Sequence, residues 1–285
     1  MAYATDSLVS LKVHARQGEG VDLAEQYSVH GFPTLLFTRP DGTEIDRIIG
    51  YRPPEEFLAE ARRIAAGDNT LESLYRQIAD DPQDVEAHIQ LARKLEDASR
   101  LTDNLDIWLQ VRTLSQPGTD NFALGDFKWN KSRARIDTSA AILETYLQRN
   151  PGSPYEVEAL RDISRIYRTK RDTLAEARAY RRYVDAAITA DQVTHHILNG
   201  YGWRMTQLGL NLEDALERTR LGISLITEDH SDDLPNIMDT KAEILWKLGR
   251  IEEAVQVIEK CIELDPESEY FREHKTKFLA AEETG

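Results

Sequence analysis

The stretch Trp246-Lys-Leu-Gly-Arg-Ile-Glu-Glu-Ala254, continued by Val255-Gln-Val-Ile258, Cys261 and Leu264-Asp-Pro266, decides how most of this chain is read. Apolar residues return at helical spacing on both sides of Gly249, and Pro266 ends the second run because proline offers no backbone donor. The pattern recurs 39 to 40 residues upstream as Leu198-Asn-Gly-Tyr-Gly-Trp-Arg-Met-Thr-Gln-Leu-Gly209, followed by Asn211-Leu-Glu-Asp-Ala215. A weaker version runs from Tyr155 to Ala187. The weakest begins at Asp84, where Ala87, Leu91, Ala92 and Leu95 keep helical spacing and Asn104 to Val111 continue it. Prolines 82, 151 and 154 punctuate these runs. From Leu71 onward almost nothing reads as strand. Residues 114–136 fit no repeat and read as an irregular connection with one short helix around Phe122 to Trp129.

The repeated unit resembles the tetratricopeptide repeat, whose second helix starts after a Gly-x-x-x-x-Ala turn and ends at a proline twelve residues past the alanine. Gly249, Ala254 and Pro266 meet that spacing, and Ala242 and Cys261 take two small positions; Met238 and Lys241 replace the usual Trp and Leu. Gly202, Gly209, Ala215 and Gly222 take the small positions upstream. Helices that cross at close range need short side chains there. The resemblance implies an all-α solenoid over residues 69–285, clearest at about 195–228 and 235–268, with a concave face suited to a protein or peptide partner. On that face it places Asn199, Trp203, Thr206 and Gln207, then Asp239, Glu243, Trp246 and Lys247. Two tryptophans and two carboxylates would suit an extended peptide bearing a basic or apolar residue. The plainer alternative is that the tryptophans fill gaps between repeats and the acids are solvated, with Asp239 and Thr240 forming a local cap.

Residues 8–66 read differently, in a βαββα order. Leu8 to His14 alternates like a strand, and a short helix follows Asp22. Next come Pro33 to Thr38, a turn at Pro40-Asp-Gly42, and Thr43 to Ile49; Asp-Gly between two β-rich runs is a hairpin signal. Pro53 and Pro54 open an amphipathic helix from Glu55 to Ala66. Tyr27-Ser-Val-His-Gly-Phe-Pro-Thr-Leu-Leu-Phe37, Asp41-Gly42, Arg47-Ile-Ile-Gly-Tyr51 and Pro54-Glu-Glu-Phe-Leu58 resemble the C-terminal half of the thioredoxin fold. The resemblance implies a cis proline at Pro33, with Phe32, Pro33 and Thr34 facing an extended peptide. The fold class is therefore α+β: a partial thioredoxin-like unit over 1–68, then the solenoid. The family's central strand and Cys-x-x-Cys helix would lie before Leu8. Either the recorded start is internal to a longer gene, which is the favoured reading, or the domain is reduced to a packing module.

Composition narrows the chemistry. The chain has 285 residues and a formal charge of −15, which argues against nucleic acid. Lys128, Lys131, Arg133 and Arg135 are a local exception and read as a solvated linker rather than a phosphate site. One cysteine, Cys261, can form neither an intrachain disulfide nor a redox pair. Apolar runs fall far short of the ~20 residues that span a bilayer. The N-terminus has no leader pattern, so a cytoplasmic setting is expected. His195-His196 is read as no metal site, because neighbours on a helix point about 100° apart and no ligand type follows at i+3 or i+4. Asp80–Asp84 and Glu228–Asp233 lack the spacing of a calcium loop. No catalytic constellation and no cofactor motif is found. The expected function is non-catalytic binding of protein or peptide. The alternative is a fragment of a thiol-disulfide oxidoreductase whose Cys-x-x-Cys lies upstream.

Overall fold

A hairpin is the best-defined feature of the first segment. Strand β1 (Thr34–Thr38) pairs antiparallel with β2 (Glu44–Ile49), Thr34 opposite Ile49 and Leu36 opposite Arg47, with an irregularity between Phe37 and Thr38. The turn forms because Gly42 takes φ +86° and the Asp41 carboxylate accepts from the Thr43 amide at 2.9 Å. That hydrogen bond holds the Asp41 carboxyl below its usual value. Helix α1 (Glu19–Gln26) precedes the hairpin, and the Tyr27 hydroxyl at its end donates to the Gly42 carbonyl at 2.7 Å. Helix α2 (Pro54–Ala65) follows and buries Ala61 and Ile64. The computed structural model describes residues 9–282, which divide after Ile136 into two compact units.

The strand expected from Leu8 to His14 is not formed over its described part, residues 9–14; Leu8 lies outside the described residues. Val9 and Leu11 stand 94% and 85% exposed. Alternation alone cannot hold a strand, since its backbone groups need a ladder partner. The two-stranded sheet offers none at that place.

In the first unit the αβ segment packs on the helices rather than hanging from a linker. The Asp46 carboxylate on β2, 1% exposed, accepts from Arg63 of α2 at 2.8 Å and from Lys94 of α4 (Val85–Asp97) at 2.9 Å. Arg39 makes a bidentate pair with Glu72 of α3 (Leu71–Asp80), at 2.6 and 2.8 Å. A capping box, Thr70 with Ser73, starts α3. Leu71 and Leu74 then form one core with Ala87, Leu91 and Leu95. The contact between the segment and the helices is thus held by a buried carboxylate with its two cations and by the Arg39–Glu72 pair, beside an apolar cluster that joins α3 to α4.

Helix α5 (Leu101–Leu114) pairs with a 17-residue helix, α6 (Asp120–Ile136), where an irregular connection was expected. The reason is a close crossing: a Cβ on Gly125 would lie 2.6 Å from the Arg112 amide nitrogen. Trp108 and Phe127 fill the contact at 0% exposure. The four cations are no solvated linker either. Lys128 and Lys131 reach Glu96 at 3.0 and 3.3 Å, and Arg133 lies 4.7 Å over the Trp129 ring.

The second unit runs α7 (Ala140–Arg149), α8 (Glu156–Thr169), α9 (Thr173–Thr189), α10 (His195–Leu208), α11 (Leu212–Ser224), a 3-10 turn (Glu228–Asp233), α12 (Leu234–Lys247), α13 (Ile251–Leu264) and α14 (Glu269–Glu282). It is an antiparallel helical array. Gly209 ends α10 in the left-handed conformation, φ +66°. Ala242, Ala254 and Cys261 are fully buried at crossings, as small residues there require. No helix among the described residues is long and apolar enough to cross a membrane.

Gly125→Ala is expected to destabilise the first unit by about 1–3 kcal/mol, because the methyl would have to displace backbone rather than a side-chain tip. Denaturant unfolding followed by tryptophan fluorescence measures it. A change within experimental error would show that α5 and α6 can part without cost.

Candidate functional site

Residues 32–34 stand where β1 begins. The Phe32–Pro33 bond is cis. Phe32 is 53% exposed beneath the Arg16 guanidinium, 5.3 Å from its ring centre. The Thr34 hydroxyl donates to the Gly31 carbonyl at 2.8 Å, and the Gly50 amide donates to the Pro33 carbonyl at 2.8 Å. One edge of β1 is taken by β2; among the described residues no strand covers the other.

Asn199, Trp203, Asp239, Glu243 and Trp246 do not share one open groove. Asp239 and Glu243, on α12, are 4% and 3% exposed beneath α14. The Tyr270 hydroxyl donates to Asp239 at 3.2 Å, and His274 Nδ1 lies 2.7 Å from Asp239 and 3.3 Å from Glu243. Lys277 pairs with Glu243 and sits 4.3 Å over the Trp246 ring, which also packs on Phe278 at 5.8 Å. Burial pushes the Asp239 carboxyl up, with the neighbouring His274 opposing. The chain's own last helix therefore supplies the aromatic and cationic groups that a peptide would have brought. These acids are neither solvated nor open.

Asn199 and Trp203, one turn apart on α10, remain at the surface. Trp203 is 37% exposed, while the Asn199 side-chain carbonyl is buried with no hydrogen-bond partner among the described residues. The neighbouring α8 presents Arg161, Arg165 and Arg168 at i, i+4 and i+7, one helical face. Their side chains are 39%, 61% and 49% exposed. Arg168 also ties α8 to α10. Its Nε and that of Arg204 both lie 2.7 Å from Oε1 of Glu176, a fully buried α9 residue. Tyr180 fills the space between, 5.8 Å from Tyr183 and 5.4 Å from Tyr201. Burial alone would raise the Glu176 carboxyl, but hydrogen bonds from Arg204 and Arg168 prevail and hold it below its usual value. The arrangement is a row of half-exposed arginines, each beside a carboxylate: Arg161 lies 3.9 Å from Glu158, Arg165 3.8 Å from Asp162, and Arg168 2.7 Å from Glu176. Its sequence signal was the helical spacing of three arginines in an acidic chain. The groove positions taken from the repeat pattern passed over it, because α8 belongs to a weak repeat.

A carboxyl depressed in the folded state stabilises above its unfolded value, near 4.3, and that contribution is lost as pH falls through the folded value. Glu176→Gln is therefore expected to cost about 2 kcal/mol at pH 7, the scale of charged hydrogen bonds. The gap from wild type should narrow below pH 4. Thermal melts across that range test it, and a pH-independent gap would contradict the assignment.

The family model of a thioredoxin-like domain matches residues 3–65, and that of a tetratricopeptide repeat matches residues 236–268. Among solved structures, YrrB, a TPR protein with an unusual peptide-binding site, superposes with a TM-score of 0.50 at 12% identity, over 73% of this chain and 99% of its own. BtubC (BKLC) from P. vanneervenii gives 0.46 at 15% identity, over 78% and 92%. A search of curated proteins gives no match. The chain joins a thioredoxin-like segment to a helical array of tetratricopeptide type.

Proposed function

We propose that this chain is a non-catalytic binding scaffold that takes an acidic, extended segment of a partner protein along α8 and α10. The row Arg161, Arg165 and Arg168 carries the reading: three arginine side chains, 39%, 61% and 49% exposed, on one helical face of a chain whose formal charge is −15, with Arg165 the most open of the three. Guanidinium groups pair carboxylates in a fork geometry, and an exposed tryptophan adds apolar area at low entropic cost. Trp203 follows in sequence order beside Arg204, which meets Arg168 on Glu176. The likeness to YrrB supports a peptide as the class of ligand. The basic ligand suggested by Asp239 and Glu243 is set aside, since α14 already satisfies both.

Fluorescence anisotropy with a labelled Glu/Asp-rich peptide and a Lys-rich control tests the proposal. The acidic peptide should bind, weaken with added salt, and lose about tenfold or more in affinity on Arg165→Glu or Trp203→Ala, the scale of an interface hot spot. Equal binding of both peptides, or affinity unmoved by Arg165→Glu, would refute it.

The open edge of β1 favours a second contact, at Phe32, Pro33 and Thr34, where an extended segment would add beside the strand.

No reaction is assigned to the chain. What supports this is the state of its lone thiol: Cys261 is fully buried, and burial together with the Asp239 charge pushes it up to about 12. A thiol so placed gives little thiolate at neutral pH. Insulin reduction by this chain should match the blank, and an iodoacetamide label should enter Cys261 only after unfolding. Turnover abolished by Cys261→Ser would establish the enzyme instead.

A further inference from the structure

The sequence gives no reason to join residues 195 and 233, yet the array does so. His195 is the first residue of α10, held there because the Thr194 side chain caps the helix by accepting from the Ile197 amide at 3.3 Å. The chain then runs through α10 and α11 and returns in the 3-10 turn Glu228–Asp233. That turn sets Asp233 Oδ2 at 3.0 Å from His195 Nε2, and the His230 ring centre 5.1 Å from that of His195. One ligand atom from each of His195, His230 and Asp233 lies within 4.8 Å of the other two.

A hydrogen bond from His195 to Asp233 would be enough to dock the turn. It does not account for His230, an exposed residue with a ring nitrogen within 4.8 Å of both the His195 and the Asp233 ligand atoms. The earlier objection from helical spacing applied to His195 with His196, and it stands: His196 Nε2 is 3.7 Å from Asp233, but its ring lies 6.4 Å from that of His230. The donor set is completed by a different histidine, 35 positions along the chain, that no local spacing could reveal.

We propose that His195, His230 and Asp233 form a binding site for a divalent transition-metal ion of the zinc type. Tetrahedral zinc bonds of about 2.0–2.1 Å place donors roughly 3.4 Å apart. The His195–Asp233 pair is already near that spacing, and the exposed His230 can swing to reach it. Two imidazoles and one carboxylate suit zinc, cobalt or nickel, whereas calcium and magnesium require oxygen ligands. Three protein ligands leave the fourth position to water. The buried His195, 7% exposed, supplies a fixed donor and the turn supplies the two that close on the ion. Bound metal would pin the entry of α12 to the start of α10, so its affinity adds to the stability of the second unit.

Titration of the untagged full chain with Co2+, followed by visible ligand-field absorption, and with Zn2+, followed by calorimetry and thermal melting, tests the site. One ion per chain is expected, with tetrahedral-type bands and a raised melting temperature. His230→Ala leaves the fold intact by its exposure and should weaken binding by at least about tenfold, the minimum that even an outer-shell partner costs. Asp233→Asn should do the same. His196→Ala, outside the donor set, should leave the affinity unchanged. Absence of binding, equal affinity in His230→Ala, or a loss in His196→Ala as large as in His230→Ala would each overturn the assignment.

Discussion

Helices in these arrays cross so closely that several crossings have no room for a Cβ, and everything else in the structure depends on that spacing. A Cβ on Gly202 would lie 2.3 Å from the Thr219 hydroxyl, and one on Gly222 would lie 2.6 Å from an Ile237 methyl. The same constraint acts at Gly125 in the first unit. Stacked helix pairs have few contacts that are distant in sequence, so each pair is held in place mainly by the pairs beside it. A side chain added at a crossing would therefore shift every later element of its unit. Functional geometry such as Glu176 between Arg168 and Arg204 survives only while the crossings stay closed.

Helical arrays leave apolar faces that must be covered, and each unit covers one of its own by a different device. In the first unit the thioredoxin-like hairpin does so, with Asp46 joining β2 to α2 and α4. In the second, α14 lies on the last pair, its Phe271 and Phe278 buried and its polar side chains answering Asp239 and Glu243. Buried carboxylates are costly unless each finds a donor. Asp46, Glu176, Asp239 and Glu243 all do, so an acidic chain spends its basic residues first on its own interior. Arg165 on α8 stands out for that reason, with its side chain 61% exposed and only a 3.8 Å approach to Asp162.

Steric needs are local to a residue, whereas partners are not, and that difference sets how much of the fold is legible in the sequence. The small positions at Gly202, Ala242, Ala254 and Cys261 were legible because a steric need acts on residue type directly. The hairpin was legible because Asp41-Gly42 suits few backbone conformations other than a turn. Strand formation at residues 9–14 was not, since a strand depends on its partner and alternation says nothing of whether one is present. The long helix α6 was missed because its close contact rests on Gly125, a residue that taken alone argues against a helix. Among the candidate site residues, the pattern located the inner face of α12 but could not tell that α14 would cover it. Which helix lies on which face is a property of the whole array.

The same limit applies to charged side chains. Asp239 reads as a groove residue, a cap or a solvated acid from its neighbours in sequence, and all three readings are local. Its environment is set by Tyr270 and His274, about 30 positions later, through hydrogen bonds that form only when α14 docks. Cys261 is drawn into the same balance: the Asp239 charge adds to burial in suppressing its thiolate. A residue chosen for its size at a helix crossing is thereby made chemically inert by a carboxylate chosen for its partner. Packing and electrostatics thus act on Cys261 together, and the thiol that the helix crossing requires gives little thiolate at neutral pH.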